Sequence, residues 1–273
     1  MLHKMIRVLV ADDSSVSREV INEGVNVHKS ARYIEVDSVS NGREALDIVT
    51  RKQIDIAFLD INMPGMNGPE IVAAMRQTKS SDCLTVAISS ELDDRAAAIL
   101  KHFNAYHFLK KPFSKTDIAE IVATYMTMTA VYPVLIVDDS ATMRKLTRKV
   151  LDASRFDFEI FEADSADAAL RALAGGKIKI VLTDFNMPGR DGIELAGEIG
   201  SLSNKVAVYM MSTDDTTYLE RSAAFVGISG FLKKPFAASD IDTVMHKYLE
   251  LDTPKFGKVR ELFSFLDREK KAS

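Results

Sequence analysis

Val8-Leu9-Val10-Ala11-Asp12-Asp13-Ser14 returns as Val134-Leu135-Ile136-Val137-Asp138-Asp139-Ser140, and the fold follows from that repetition. Each copy is an aliphatic run without polar interruption that ends on two carboxylates and a hydroxyl. Such a run reads as a strand buried on both faces, as in a parallel sheet covered by helices. Two further segments repeat in the same order. Asp60-Ile61-Asn62-Met63-Pro64-Gly65 is matched by Asp184-Phe185-Asn186-Met187-Pro188-Gly189, and Phe108-Leu109-Lys110-Lys111-Pro112-Phe113 by Phe231-Leu232-Lys233-Lys234-Pro235-Phe236. Asp138 follows Asp12 by 126 residues, Asp184 follows Asp60 by 124, and Lys234 follows Lys111 by 123. Small drifts of this kind are what loop-length differences produce. A repeat this long is a duplicated domain, because solenoid units run to about 20–50 residues.

Working outward from these anchors, apolar runs at 6–11, 33–37, 54–59, 84–88 and 106–109 predict strands in the first copy. Helical periodicity predicts helices over 15–28, 42–52, 68–79, 92–103 and 115–129, with Ser14, Asn41, Asn67 and Ser114 as N-caps. The second copy predicts strands near 133–137, 157–161, 178–183, 205–211 and 229–232. Alternation of this kind gives an α/β protein: two flavodoxin-like (βα)5 domains, each a doubly wound parallel sheet, in tandem. The expected domains are 1–130 and 131–250. A tail at 251–273 is expected to carry a short C-terminal helix over 255–271, with Val259, Leu262, Phe263 and Leu266 along one face.

The chain has 273 residues, 47% hydrophobic and 27% charged, enough for two ordinary domain cores. Its net charge of −4 argues against a nucleic-acid partner, since affinity for phosphate backbones rests on clustered Lys and Arg. The single cysteine, Cys83, excludes an internal disulfide and a Cys-based metal site, and is expected to serve packing. The N-terminal residues are too few and too charged for a signal peptide, and no apolar run suggests a membrane span. The cytoplasm is the expected compartment.

In an open α/β sheet, ligands bind beyond the carboxyl ends of the strands, at the point where the winding reverses. Asp12 and Asp13 end the first strand and Asp60 ends the third, so three carboxylates share one crevice. Such a grouping is unfavourable unless a cation is shared, and a few oxygen ligands beside solvent suit Mg²⁺. Ser89 ends strand four and Lys111 follows strand five, so a hydroxyl and an ammonium reach the same place. Carboxylate, divalent metal, ammonium and hydroxyl together serve phosphoryl transfer. The second copy supplies Asp138, Asp139, Asp184, Ser212 and Lys234 in the same order.

These residues closely resemble the response-regulator receiver (CheY-like) family of two-component signalling, over roughly 5–128 and 132–250. The resemblance implies that Asp60 and Asp184 are phospho-acceptors. It implies Asp13 and Asp139 as direct metal ligands, Asp12 and Asp138 as holders of metal-bound water, the carbonyls of Asn62 and Asn186 as completing each site, and Asp60 and Asp184 as members of the metal sites as well. One Mg²⁺ per domain follows. Ser89 and Ser212 fall at the family's hydroxyl switch position, Phe108 and Phe231 at its aromatic switch position, and Lys-Pro at 111–112 and 234–235 at its usual cis peptide. The implied donor is a phosphohistidine on a histidine kinase or histidine phosphotransfer protein. With no DNA-binding or cyclase segment after residue 250, output is expected through altered contacts with a downstream protein of unknown identity. Neither nucleic acid nor membrane is expected as a partner, and a homodimer is left open.

Each signal has a bland reading. An Asp-Asp pair after an apolar run is often a solvated turn, and Asn-Met-Pro-Gly is good turn chemistry by itself. Lys-Pro-Phe alone says nearly nothing, and Ser89 is distinguished from Ser90 only by spacing. Co-occurrence decides: five residue types, in order, twice in one chain. The five histidines show no ligand spacing and no donor-site pattern. Two rivals remain. One is a scaffold or phosphate sink in which one domain takes no phosphate, although neither copy lacks a required residue. The other is a haloacid-dehalogenase-like phosphatase, disfavoured because that chemistry needs Asp-x-Asp after the first strand. The chain therefore reads as a signalling switch and not as an enzyme acting on external substrates.

Overall fold

The computed structural model describes residues 5–29, 33–202, 206–213, 227–251 and 255–256. The chain divides into two compact units. The first is built from residues up to Met128 and joined by Lys255 and Phe256; the second begins at Thr129.

In the first unit the order is β1 (Ile6–Ala11), α1 (Ser15–Asn26), β2 (Ile34–Val39), α2 (Gly42–Arg51), β3 (Ile56–Asp60), α3 (Gly68–Met75), β4 (Leu84–Ser89), α4 (Asp94–His102), β5 (His107–Lys110) and α5 (Lys115–Met128). All strand pairs are parallel, and the sheet order is β2-β1-β3-β4-β5. The winding therefore reverses between β1 and β3, as a flavodoxin-like sheet requires. β3 and β4 are buried along their whole length, which explains their unbroken apolar runs. The edge strand β2 has five of its six residues only partly buried or exposed, consistent with Glu35, Asp37 and Ser38 in it.

The helix starts fall where cap chemistry puts them. Ser14, Asn41 and Asn67 accept from backbone N–H groups three residues on, and Asn67 with Glu70 closes a reciprocal capping box. Ser114 does the same for Asp117 N–H, and Asp93 caps α4. Several element ends shift by one to four residues from the periodicity, and two of the shifts have a visible local cause. The helix expected to reach residue 79 ends at Met75, because the Thr78 hydroxyl turns back to the Met75 carbonyl at 2.8 Å and competes with the helical pattern. The strand expected from residue 54 starts at Ile56, since the Ile54 N–H donates to the Ser80 hydroxyl at 2.9 Å instead of joining the ladder.

The second unit repeats the plan with β6 (Val131–Val137), α6 (Ala141–Asp152), β7 (Asp157–Ala163), α7 (Ala166–Leu173), β8 (Ile180–Asp184), α8 (Gly192–Leu202), β9 (Ala207–Ser212), β10 (Ile228–Lys233) and α9 (Ala238–Tyr248). Its order, β10-β9-β8-β6-β7, is the same parallel winding. Of the helix expected over 255–271, Lys255 and Phe256 form a turn, and Phe256 is buried in the first unit. The rest of that segment, with Val259, Leu262, Phe263 and Leu266, lies outside the described residues.

Candidate functional site

Register brings the acidic residues together. β1 pairs with β3 up to Ala11↔Leu59, so Asp12 and Asp60 each stand one residue beyond a paired position at the carboxyl end of the sheet. In the second unit Val137↔Thr183 puts Asp138 and Asp184 in the same relation. One carboxylate oxygen from each of Asp12, Asp13 and Asp60 lies within 4.8 Å of the others, and the same holds for Asp138, Asp139 and Asp184.

A lysine closes each crevice. Lys111 Nζ stands 2.8 Å from Asp12 Oδ2 and 2.7 Å from Asp60 Oδ2. Lys234 Nζ stands 3.0 Å from Asp138 Oδ2 and 2.8 Å from Asp184 Oδ1. The lysines are held by backbone: Lys111 N–H donates to the Ser89 carbonyl at 2.9 Å, Lys234 N–H to the Ser212 carbonyl at 2.7 Å. Lys111-Pro112 and Lys234-Pro235 are both cis. Burial pushes the Asp12 carboxyl above its ordinary range, against the opposing pull of Lys111 and of the Ser14 amide. Burial is the largest single influence on Lys111 and Lys234 and works against their charge, but the two carboxylates at each lysine together outweigh it, and both ammonium groups titrate above the ordinary lysine value. Both remain charged at neutral pH.

The donor set fits a small hard cation. It is oxygen throughout, and Asp12 Oδ2 is buried with the Lys111 ammonium, 2.8 Å away, facing it as an ionic contact. Three carboxylates around one ammonium leave acceptor oxygens that a metal, or a metal-bound water, would satisfy. Asp13 and Asp139 are the exposed members of their triads and the ones open to a hydrated ion.

The remaining expected residues are distributed as follows. Asn62 N–H donates to Asp60 Oδ1 at 3.0 Å, and its side-chain amide lies 3.4 Å from the Ser89 hydroxyl. Ser89 and Ser212 are buried at the ends of β4 and β9. Asn186 is exposed. Phe108 and Phe231 stand outside the crevice, on β5 and β10, with their rings in the hydrophobic cores of their units.

Two pairs of residues matter that motif reading passed over. Arg18 Nη1 donates to the carbonyls of Asp12 and Asp13, at 2.7 and 3.0 Å, and Arg144 does the same to Asp138 and Asp139, at 2.8 and 3.4 Å. These guanidinium groups fix the backbone of the acidic loops. Gly68 and Gly192 pack against the carbonyls of the central aspartates; a Cβ would meet Asp60 O at 2.6 Å and Asp184 O at 2.4 Å. The signal for both pairs was the repeat itself, since each recurs at the same distance from its aspartate in both copies.

Comparison with known proteins adds four findings. The family model for the response regulator receiver domain matches twice, over residues 8–123 and 134–246. The chain is 34% identical over 119 residues to the chemotaxis protein CheY-3 of Vibrio cholerae serotype O1, covering 43% of this chain and 91% of that protein. It is 28% identical over 113 residues to the transcriptional regulatory protein HprR of Escherichia coli K12, a match to 41% of this chain and 48% of that protein. Among solved structures, one of a two-component system response regulator/GGDEF domain protein superposes with a TM-score of 0.57 over 90% of this chain and 98% of its own, at 21% identity. That level of identity speaks to the fold.

Proposed function

The chain belongs to the response regulator receiver family and carries the domain twice, and from that premise we propose that both copies are Mg²⁺-dependent aspartate switches with Asp60 and Asp184 as phospho-acceptors. One observation carries the reading. In each unit a single lysine ammonium touches two carboxylates that arrive on different strands: Lys111 on Asp12 and Asp60, Lys234 on Asp138 and Asp184. Nothing in packing or stability calls for such a concentration of charge at a sheet end, and it occurs in duplicate.

The donor is a phosphohistidine of a histidine kinase or phosphotransfer protein. A carboxylate oxygen of Asp60 or Asp184 attacks phosphorus as the phosphorus–nitrogen bond breaks, and the imidazole leaves with that electron pair. Asp12, Asp13 and the Asn62 carbonyl, and in the other unit Asp138, Asp139 and the Asn186 carbonyl, would hold one Mg²⁺ beside Asp60 or Asp184. When bound, the ion neutralises phosphoryl oxygens that would otherwise repel the attacking carboxylate. Lys111 and Lys234 present an ammonium to a further phosphoryl oxygen, and the hydroxyls of Ser89 and Ser212 donate to another. Arg18 and Arg144 keep the acidic backbone from yielding as charge accumulates. The protein acts as a signalling switch in the cytoplasm, with output through contacts to another protein. Among the described residues no helix is long and apolar enough to cross a membrane.

The test is intact-mass analysis after treatment with acetyl phosphate and Mg²⁺. Wild type should gain two phosphoryl groups, Asp60→Asn and Asp184→Asn one each, and the double variant none. Substantial labelling of the double variant would overturn the acceptor assignment. One group on wild type, lost in only one single variant, would leave one unit a silent partner. Chelation of Mg²⁺ should abolish labelling at both sites.

A further inference from the structure

The first unit's sheet ends at β5, and an edge strand exposes unpaired backbone unless something covers it. Here the cover is supplied by residues that follow the second unit in sequence. Phe256 N–H lies 3.4 Å from the Tyr106 carbonyl, and Lys255 N–H lies 3.4 Å from His107 Nδ1. The Phe256 side chain is 5% exposed and joins the hydrophobic cluster that contains Ala96 and Leu100 of α4 and Phe108 of β5. Lys255 Nζ sits 4.5 Å from the centroid of the Phe108 ring. The two residues thus meet the entry to β5 at the Tyr106 carbonyl and the His107 ring, and meet Phe108 by an apolar plug and a cation over its face. Phe108 is three residues before Lys111, the lysine of the acidic crevice.

We propose that Lys255 and Phe256 form a displaceable latch, which closes the β5 edge and the Phe108 face of the first unit to outside partners. The occupant is this chain's own segment. The face it covers would take, in its absence, a polypeptide presenting an aromatic side chain next to a cation. Displaceability follows from how the latch is held. Among the described residues, the hydrogen bonds of Lys255 and Phe256 to Tyr106 and His107 are at the outer limit of length, the Lys255 cation is exposed, and Phe256 supplies the buried side chain. β5, by contrast, is tied to β4 along its whole length. Contacts of that kind belong to the least stable part of a structure and open before the sheet does. The proposal goes beyond the phosphorylation reading, and its test does not depend on it.

The test uses the full chain with Phe256→Ala and, separately, Lys255→Glu, followed by amide hydrogen exchange. In Phe256→Ala, amides of 105–110 should exchange about tenfold faster, with those of β6 to β9 unchanged. Lys255→Glu alters an exposed residue and leaves the core intact. It should accelerate the same amides by a smaller factor without affecting β1 and β3. A fluorescent peptide with the sequence of residues 251–260 should bind Phe256→Ala at least about tenfold more tightly than wild type, whose face is already occupied. The same peptide with alanine at the Phe256 position should not bind. Unchanged exchange at 105–110 in Lys255→Glu would overturn the latch. So would equal peptide binding to wild type and Phe256→Ala, or binding to neither.

Discussion

Asp60 and Asp184 occupy equivalent places in different surroundings. The Asp60 side chain is 6% exposed against 16% for Asp184, while their lysines reverse the order, 24% for Lys111 and 8% for Lys234. Attack on a small donor needs in-line room at the carboxylate, so the more open acceptor has the higher rate. With acetyl phosphate and Mg²⁺, Asp184 is expected to label several-fold faster than Asp60. Mass time courses of Asp60→Asn and Asp184→Asn read the two rates separately, and faster labelling of Asp60 would contradict the argument. Glycine supplies a second prediction at this scale. Gly192→Ala puts a methyl 2.4 Å from the Asp184 carbonyl oxygen, a backbone atom that cannot rotate away. The second unit should lose about 1–3 kcal/mol in denaturant unfolding. Labelling of Asp184 should fall while that of Asp60 is kept.

At the scale of helices and strands, the two copies diverge where α1 meets α5 and α6 meets α9. Gly24 lets α1 approach so closely that a Cβ there would lie 2.5 Å from Ile118 Cβ and 2.6 Å from the Lys115 carbonyl. The residue at the matching place on α6 is Val150, and here the helices leave a recess of about 530 Å³ lined by Met143, Leu146, Val150, Phe236 and Ala238, with Lys234 at its margin. Leu146 is 49% exposed beside it. On the proposed reading, in which a protein donor serves Asp184, the apolar recess beside Lys234 is the surface we propose it docks on. Leu146→Asp should therefore slow transfer to Asp184 from a phosphohistidine donor about tenfold. Labelling by acetyl phosphate should stay within about twofold, because that donor needs no docking surface. Equal slowing with both donors would place the effect in the crevice instead. The strands, the winding and the acidic triads were legible in the sequence because duplication separated repeated chemistry from local accident. The recess was not. A glycine inside α1 looks like an ordinary helix glycine until Ile118 is seen against it, and nothing local at Gly24 or Val150 encodes that distance.

Across the whole chain the same limit appears in a stronger form. The pattern after residue 254 has helical period, yet Phe256 plugs the first unit and its neighbour Lys255 meets His107, 148 residues away in sequence. Periodicity reports which faces are apolar but not what they meet, so long-range docking of a short segment leaves no trace in it. Buried titratable groups are hidden for the same reason: His246 has no ligand pattern and reads as inert. In the fold its ring is 6% exposed, edge-on to Phe156 at 5.3 Å, with Nδ1 2.6 Å from the Asp242 carbonyl. Burial holds its pKa below the ordinary 6.5, outweighing the Asp242 contacts that favour the charged ring, and Arg155 adds to the lowering. The unfolded chain therefore takes up the proton at higher pH than the folded chain. Stability from the neutral buried ring is fully present above about pH 6.5, declines as pH falls through the lowered folded value, and levels off beneath it. Hydrogen exchange of peptides from α9 and β7 should show this loss as pH falls below about 6.5, the ordinary histidine value. His246→Gln, close in size and unable to titrate, should flatten that part of the profile while lowering stability modestly at neutral pH. A pH dependence identical in the variant would assign the effect to other groups and remove His246 from the account.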